Sequence, residues 1–278
     1  MPPQPAVSIN QIKSGDPFVL QTVEDKFIQV SDAGVRARLI HEYKTIRNSV
    51  GNLANWQSCR ILDFGCGQGI AAASFAIRHP QSQVYGADVV TPSNNYIAQL
   101  FGRQLDLAVP ANLEINLMTA GSLPPHIRNI DLAYAWSVFE HINFTDLTTH
   151  MKLVYERLNA NGVFFLQIKP LYYSPQGSHL YRYDGTPWVH LLVQHDALKA
   201  IVEASPAANS ETRAREWHQY ETLNRATADD IVAAAIAAQF KVHTELRRTT
   251  QLIPCQRLTR TFTLEALTTE EIQLVLCK

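Results

Sequence analysis

The residues with the clearest capacity for chemistry lie in one short run, Ile61-Leu62-Asp63-Phe64-Gly65-Cys66-Gly67-Gln68-Gly69. An apolar stretch enters three glycines that open a small-residue helical segment. Glycine lets a ligand approach the backbone, and a helix N-terminus offers N–H groups without intrahelical partners. The spacing is G-x-G-x-G. The dinucleotide pattern G-x-G-x-x-G would need glycine at position 70, where the chain has Ile70. Asp63 stands two residues before the first glycine. A carboxylate there repels a pyrophosphate and suits a ligand that presents an ammonium group beside a sulfonium cation.

S-adenosyl-L-methionine is such a ligand. Asp88 closes the next apolar stretch, 19 residues beyond Gly69, where an acid accepts hydrogen bonds from ribose hydroxyls. Each of these residues also has a structural reading. Asp63 can stabilise its turn, Asp88 can cap the Asp88-Val89-Val90-Thr91-Pro92 turn, and Cys66 reads as a small filler with no adjacent histidine partner.

The elements that must position these residues alternate regularly. Strands are expected over 60–64, 84–88, 113–118, 130–136 and 163–168, with helices over 70–77, about 96–105 and 146–158. Helical periodicity also runs from Val35 to Val50. Asn159-Ala160-Asn161-Gly162 reads as the left-handed end of the 146–158 helix. Val163–Ile168 is almost continuously apolar, as suits a parallel strand covered on both faces. The alternation implies an α/β doubly wound, Rossmann-like sheet, mostly parallel, with helices on both faces. Beyond Lys169-Pro170 it stops. Residues 171–190 hold 5 aromatics in 20 against 9% for the chain, so this segment is a local specialisation. A helix near 196–204, a Thr227-capped helix over 228–239 and closing strands over 240–246 and 272–277 complete the pattern.

Composition narrows the function. The chain has 278 residues, 46% hydrophobic and 18% charged, with a formal net charge of -1. It is long enough to bury a full core, and near-neutrality argues against a general grip on nucleic acid or an anionic membrane. The four cysteines, Cys59, Cys66, Cys255 and Cys277, form no zinc spacing. They are expected as free thiols in a cytoplasmic protein without a membrane span. The length divides into a 1–57 arm and helical cap, a 58–170 cofactor-binding core, a 171–226 substrate-side insertion, and 227–278, which returns to finish the same domain.

Asp63-Phe64-Gly65-Cys66-Gly67-Gln68-Gly69 resembles the first motif of the class I S-adenosylmethionine-dependent methyltransferases. The Asp88 strand resembles their second motif, Ile130–Ile142 their fourth-strand motif, and Leu158–Val163 the turn before their fifth strand. The resemblance covers about 58–170 and implies a seven-stranded sheet. It places the cofactor against Asp63, Gly65, Cys66, Gly67, Gly69, Asp88, Val89, Thr119, Ala120 and Trp136. Many relatives carry an acid where this chain has Thr119. Some ubiquinone-pathway relatives hold a divalent metal through a glutamate where this chain has Ser137, so no metal site is assigned. The 170–190 segment and Tyr220–Thr227 are similar to a type 11/12-like branch that acts on small molecules and glycans.

Ligands of open α/β sheets bind beyond the carboxyl ends of the strands. The acceptor should therefore meet the loops after Trp136 and Ile168. An alcohol acceptor needs a general base, and histidine, with an unperturbed pKa near ~6.5, suits that task. Of ten histidines, His141, His179 and His190 lie in these loops. Each can instead serve only to pin its loop. Tyr172, Tyr173, Tyr181 and Trp188 are expected either to stack on the acceptor or to form a small core beneath the insertion. The expected activity is O-methylation of a small-molecule or glycan hydroxyl, with a homodimer kept as an option. N- or carboxyl-methylation and non-catalytic cofactor binding are the alternatives.

Overall fold

Seven strands form one sheet in the order β3-β2-β1-β4-β5-β7-β6. The strands are β1 (Arg60–Phe64), β2 (Gln83–Asp88), β3 (Leu113–Leu117), β4 (Ile130–Trp136), β5 (Leu158–Ile168), β6 (Lys241–Thr249) and β7 (Thr269–Cys277). The computed structural model describes residues 17–90, 95–119 and 121–278, without side chains for 17–19. Residues 1–16 of the expected 1–57 arm and cap, and the expected cofactor residue Ala120, lie outside the described residues. β1 pairs in parallel with β2 and with β4, β2 pairs in parallel with β3, and β6 and β7 are antiparallel. The apolar runs Ile61–Phe64 and Val163–Ile168 are buried without alternation, as strands covered on both faces must be.

Several boundaries differ from the sequence expectation. Asn159–Gly162 is the start of β5 and not a left-handed helix end. The Asn159 amide donates to Asn129 O at 3.2 Å and Asp131 Oδ1 at 2.6 Å, and Gly162 O accepts from Lys278 N at 3.1 Å. These long-range bonds extend the backbone where local propensity alone favours a cap. The Val35–Val50 helix is interrupted by a π-helical turn over Ala37–Glu42, and a second π turn, Leu100–Gln104, ends the helix that begins at Tyr96. The polar stretch after Ala204 contains a 12-residue helix, Ser210–Glu221, capped by Asn209 and burying only Trp217 and Tyr220. Two buried residues are too few to make a visible apolar stripe. The Thr227 cap is realised in full as a capping box with Asp230.

The described chain divides into two compact units. The first comprises residues up to Ala135, Glu156–Phe165 and Lys278; the second comprises Trp136–Tyr155 and Leu166–Cys277. In the first unit, Val23, Phe27 and Leu39 pack with Ile70, Ala73, Leu100 and Phe101. Arg78 is almost fully buried there, with its guanidinium 4.8 Å from the Phe27 ring and 4.3 Å from the Tyr43 ring, bonded to Glu24 at 2.6 Å. In the second unit, Tyr172, Leu180, Val189, Leu198, Val202, Trp217, Tyr220 and Leu223 form one cluster, and Trp188 packs with Leu258 and Leu267 in another.

Candidate active site

In the first unit, Gly65, Gly67 and Gly69 all adopt positive φ, at 81°, 54° and 78°, a conformation that side chains disfavour. A Cβ on Gly69 would lie 2.7 Å from Ile115 Cδ1 and force that side chain to shift. The turn is anchored on β2. Gly65 N and Cys66 N donate to Ala87 O at 2.8 and 3.2 Å, and Gly67 N donates to Asp88 Oδ2 at 2.7 Å. The other Asp88 oxygen accepts from Val90 N at 2.9 Å. Asp88 therefore builds the site that it was expected to serve, and each of its oxygens keeps a second lone pair for a ligand hydroxyl. Val89 and Val90 are exposed beside it. Cys66 is buried, and burial together with the nearby carboxylates pushes its thiol far above the range of a nucleophile.

Asp63 is buried at the end of β1, opposite Gly86 on one side and Tyr134 on the other. Its Oδ2 has no hydrogen-bond partner, and the Tyr134 hydroxyl beside it falls short of hydrogen-bond geometry. Burial, reinforced by the neighbouring Glu42 charge, pushes the Asp63 carboxyl up to about 8. Glu42, from the π turn, is also buried, and burial raises it to about 7 against the lowering effect of Arg38. A buried acid with an orphaned oxygen fits a cationic ligand group. Glu42 and Arg38 escaped the sequence reading because they lie more than twenty residues before Asp63, inside a helix that reads as structural.

Thr119 is exposed and bridges to Ser122. Trp136 ends β4 half-buried.

In the second unit, the loops after β4 and β5 bring histidines together. The His141 and His179 rings lie 5.8 Å apart, edge to face. His141 is exposed at the loop surface but crowded enough on one side for desolvation to lower its pKa. His179 is half-buried. Burial and the nearby His141 hold it down to about 4, while a hydrogen bond to the Pro170 carbonyl acts in the opposite sense. Its Nε2 is shielded from water and has no partner. In the tautomer protonated at Nδ1, Nε2 carries a free lone pair.

His190 is buried and donates from Nε2 to Tyr172 O at 2.7 Å; burial takes it to about 4 as well. Gly177 packs so closely on Tyr172 that a Cβ would fall 1.9 Å from the same carbonyl oxygen. The loops are held under strain. Ser137, His179, Trp188 and Arg225 are non-glycine residues at φ 52°, 61°, 58° and 60°. Asn224 ties the first loop down by donating from Nδ2 to Phe139 O at 2.6 Å and to Ile142 O at 2.8 Å. No group of three or more His, Cys, Asp or Glu among the described residues is placed to share a metal ion.

The four expected acceptor-side aromatics separate. Tyr172 and Trp188 belong to cores, with Trp188 Nε1 donating to Leu267 O at 3.1 Å. Tyr181 is exposed on the surface. Tyr173 lines a cavity of about 190 Å³ with Leu171, Ala226–Asp229, Arg247 and Thr269. The polar walls of this cavity are largely committed. Thr227 bonds Asp230, Thr269 bonds Glu265 O, and Arg247 is held by Asp229, Glu245 and Glu265. Near it, Glu140 lines a space of about 10 Å³, room for about one water. Both Glu140 oxygens are buried without partners, and burial pushes its carboxyl up to about 8.

These buried groups set an unusual pH dependence. Glu42, Asp63 and Glu140 hold protons in the folded chain across neutral pH, whereas in the unfolded chain they ionise near 4. The folded state then binds more protons, and stability falls as pH rises through 7 to 8. His79, His179 and His190 are neutral in the folded chain down to about 4. The unfolded chain protonates them below about 6.5, so they remove stability as the pH falls. The two sets offset each other near pH 5 to 6. Urea unfolding is expected to give its highest midpoint there and to lose about 2–4 kcal/mol by pH 8. A midpoint that climbs from pH 6 to 8 would contradict these assignments.

The family profile described as Methyltransferase domain matches residues 34–245. None of the curated proteins matches the chain by sequence. Among solved structures, PKMT2 from Rickettsia typhi in complex with AdoHcy shares 16% identity at a TM-score of 0.51, over 84% of this chain and 52% of that one. The chain thus spans about half the length of that relative. Geranyl diphosphate C-methyltransferase from Streptomyces coelicolor shares 12% at 0.52, over 85% and 78%. The PH0226 protein from Pyrococcus horikoshii shares 14% at 0.51, over 90% and 93%. At these identities the likeness is one of fold. No helix among the described residues is long and apolar enough to cross a membrane. With three quarters of its length inside the family profile, on a glycine turn built as that fold requires, the chain belongs to the methyltransferase-domain family.

Proposed function

We propose that this protein transfers a methyl group from S-adenosyl-L-methionine to a hydroxyl of a small metabolite or glycan, with His179 as the general base. The cofactor supplies an electrophilic methyl on a sulfonium. PKMT2 from Rickettsia typhi and the geranyl diphosphate C-methyltransferase were both solved with S-adenosylhomocysteine, which supports the same cofactor here. Asp88 suits the ribose, the exposed face of Val89 suits the adenine, and Asp63 suits the amino group.

One observation carries the choice of base. His179 is a half-buried imidazole, held neutral by burial, with an unpartnered Nε2 in the loop after β5. An acceptor hydroxyl at Nε2 would give up its proton as the oxygen attacks, and the Pro170 carbonyl would steady the imidazolium that forms. His190 shows the same pattern, with Nε2 on Tyr172 O and Nδ1 unpartnered, but it is more deeply buried than His179, and His141 is exposed to water. The cavity beside Tyr173 suits the non-reacting part of the acceptor, through shape more than through free polar groups.

The test is to incubate the protein with S-adenosyl-L-methionine and a panel of hydroxyl, amine and carboxylate acceptors and to measure S-adenosylhomocysteine formed. Turnover confined to amines or carboxylates would remove the hydroxyl assignment. Turnover independent of His179 would remove the base.

A further inference from the structure

The π turn at Ala37–Glu42 sits between α-helical stretches on either side. Such single π turns occur often at functional sites. The wider winding leaves Arg38 and Glu42, four residues apart, on one side of the turn. The turn is tied to the glycine-turn helix by a buried bond, since Ser74 Oγ donates to Leu39 O at 2.6 Å. Both side chains then reach the glycine turn. Arg38 Nη1 lies 3.6 Å from the position a Cβ on Gly67 would take, and Glu42 is buried close enough to Asp63 for their charges to repel.

Two enclosed carboxyls and an orphaned Asp63 oxygen are costly in an unliganded fold. Arg38 at the rim offsets only part of that cost through its charge, and it is exposed and able to take an anion. An α-amino acid head carries both charges, one carbon apart. We infer that Arg38 and Glu42 join Asp63 in a clamp for the amino-acid end of the cofactor, the two acids taking its ammonium and Arg38 its carboxylate. The inference rests on the cofactor reading above.

It makes cofactor binding proton-linked. The groups facing Asp63 are Glu42, Arg38, Tyr134 and Asp88, with the raised Cys66 thiol nearby, and burial keeps the acid pair protonated around neutrality. A bound ammonium replaces that proton. Affinity for a ligand bearing the amino-acid head should then rise between pH 6 and 7.5, by up to about tenfold per pH unit for one proton released.

Titration calorimetry of the full chain with S-adenosylhomocysteine and with methylthioadenosine, which lacks the amino acid, tests this. In buffers of different ionisation enthalpy at pH 7, the first ligand should release about one proton by this linkage and the second none. Glu42→Gln and Arg38→Ala should each weaken S-adenosylhomocysteine at least ~10-fold and leave methylthioadenosine within about twofold, roughly the loss of one charge-assisted hydrogen bond. Equal proton release by both ligands overturns the clamp. So do variants that weaken both ligands equally, or neither. A wild-type protein that binds neither nucleoside removes the cofactor reading itself, whereas tight binding of both without selective loss removes only the clamp. The proton count uses the wild-type chain, so it stands even where a variant folds poorly.

Discussion

His179→Ala should lower kcat by about 10²- to 10⁴-fold, the usual contribution of a positioned general base. Cofactor affinity should stay within about twofold of wild type, since the substitution leaves the glycine turn untouched. The size of the effect follows from the environment of the imidazole. Its Nε2 is withdrawn from competing water and left without a partner. A pKa held down to about 4 keeps the base form fully populated. At saturating cofactor, kcat/KM for the acceptor should therefore stay level from pH 8 down to about 5.5, where an ordinary imidazole near ~6.5 would be mostly protonated. His190→Ala should instead lower stability, because it removes the bond to Tyr172 O from within a core. Activity of His179→Ala within twofold of wild type, measured by S-adenosylhomocysteine release, would eliminate this residue as the base.

Asp88→Ala should weaken S-adenosyl-L-methionine by about 100-fold or more in calorimetry. The carboxylate accepts from Gly67 N at 2.7 Å and Val90 N at 2.9 Å, and each charge-assisted bond contributes about 1.5–3 kcal/mol. Alanine removes the ribose acceptor and also the bond that holds Gly67 in its left-handed conformation, so the loss should exceed that of one ligand contact. Asp88→Asn keeps one acceptor oxygen and should lie between, at roughly tenfold. A change under threefold for the alanine variant would remove Asp88 from the cofactor site.

Much of this protein can be read locally. Ile61–Gly69 specifies a strand, three positive-φ turns and a helix start within nine residues, because apolar runs and glycines act over a few bonds. The alternation of β1 to β3, and of β4 and β5, with helices, and the Thr227 capping box, are local for the same reason. The position of Asp88 also follows, since a parallel neighbour of β1 must end where the glycine turn begins.

Other features depend on approaches across the chain. Arg38 and Glu42 reach the glycine turn only because the π turn is bonded to Ser74. Asn224 pins the Phe139–Ile142 loop from more than eighty residues away. Tyr172, Tyr173, Tyr181 and Trp188 look alike in sequence, yet two enter cores, one faces solvent and one lines a cavity. The three candidate histidines in two loops are told apart only by burial and contacts, His190 being buried on Tyr172 O, His179 half-buried and His141 exposed. What the sequence determined by itself was the fold class, the glycine turn and the loops that carry the candidate bases. Which atoms are buried, paired or left unsatisfied was decided by the tertiary structure, because desolvation and hydrogen-bond partners come from residues distant in the chain.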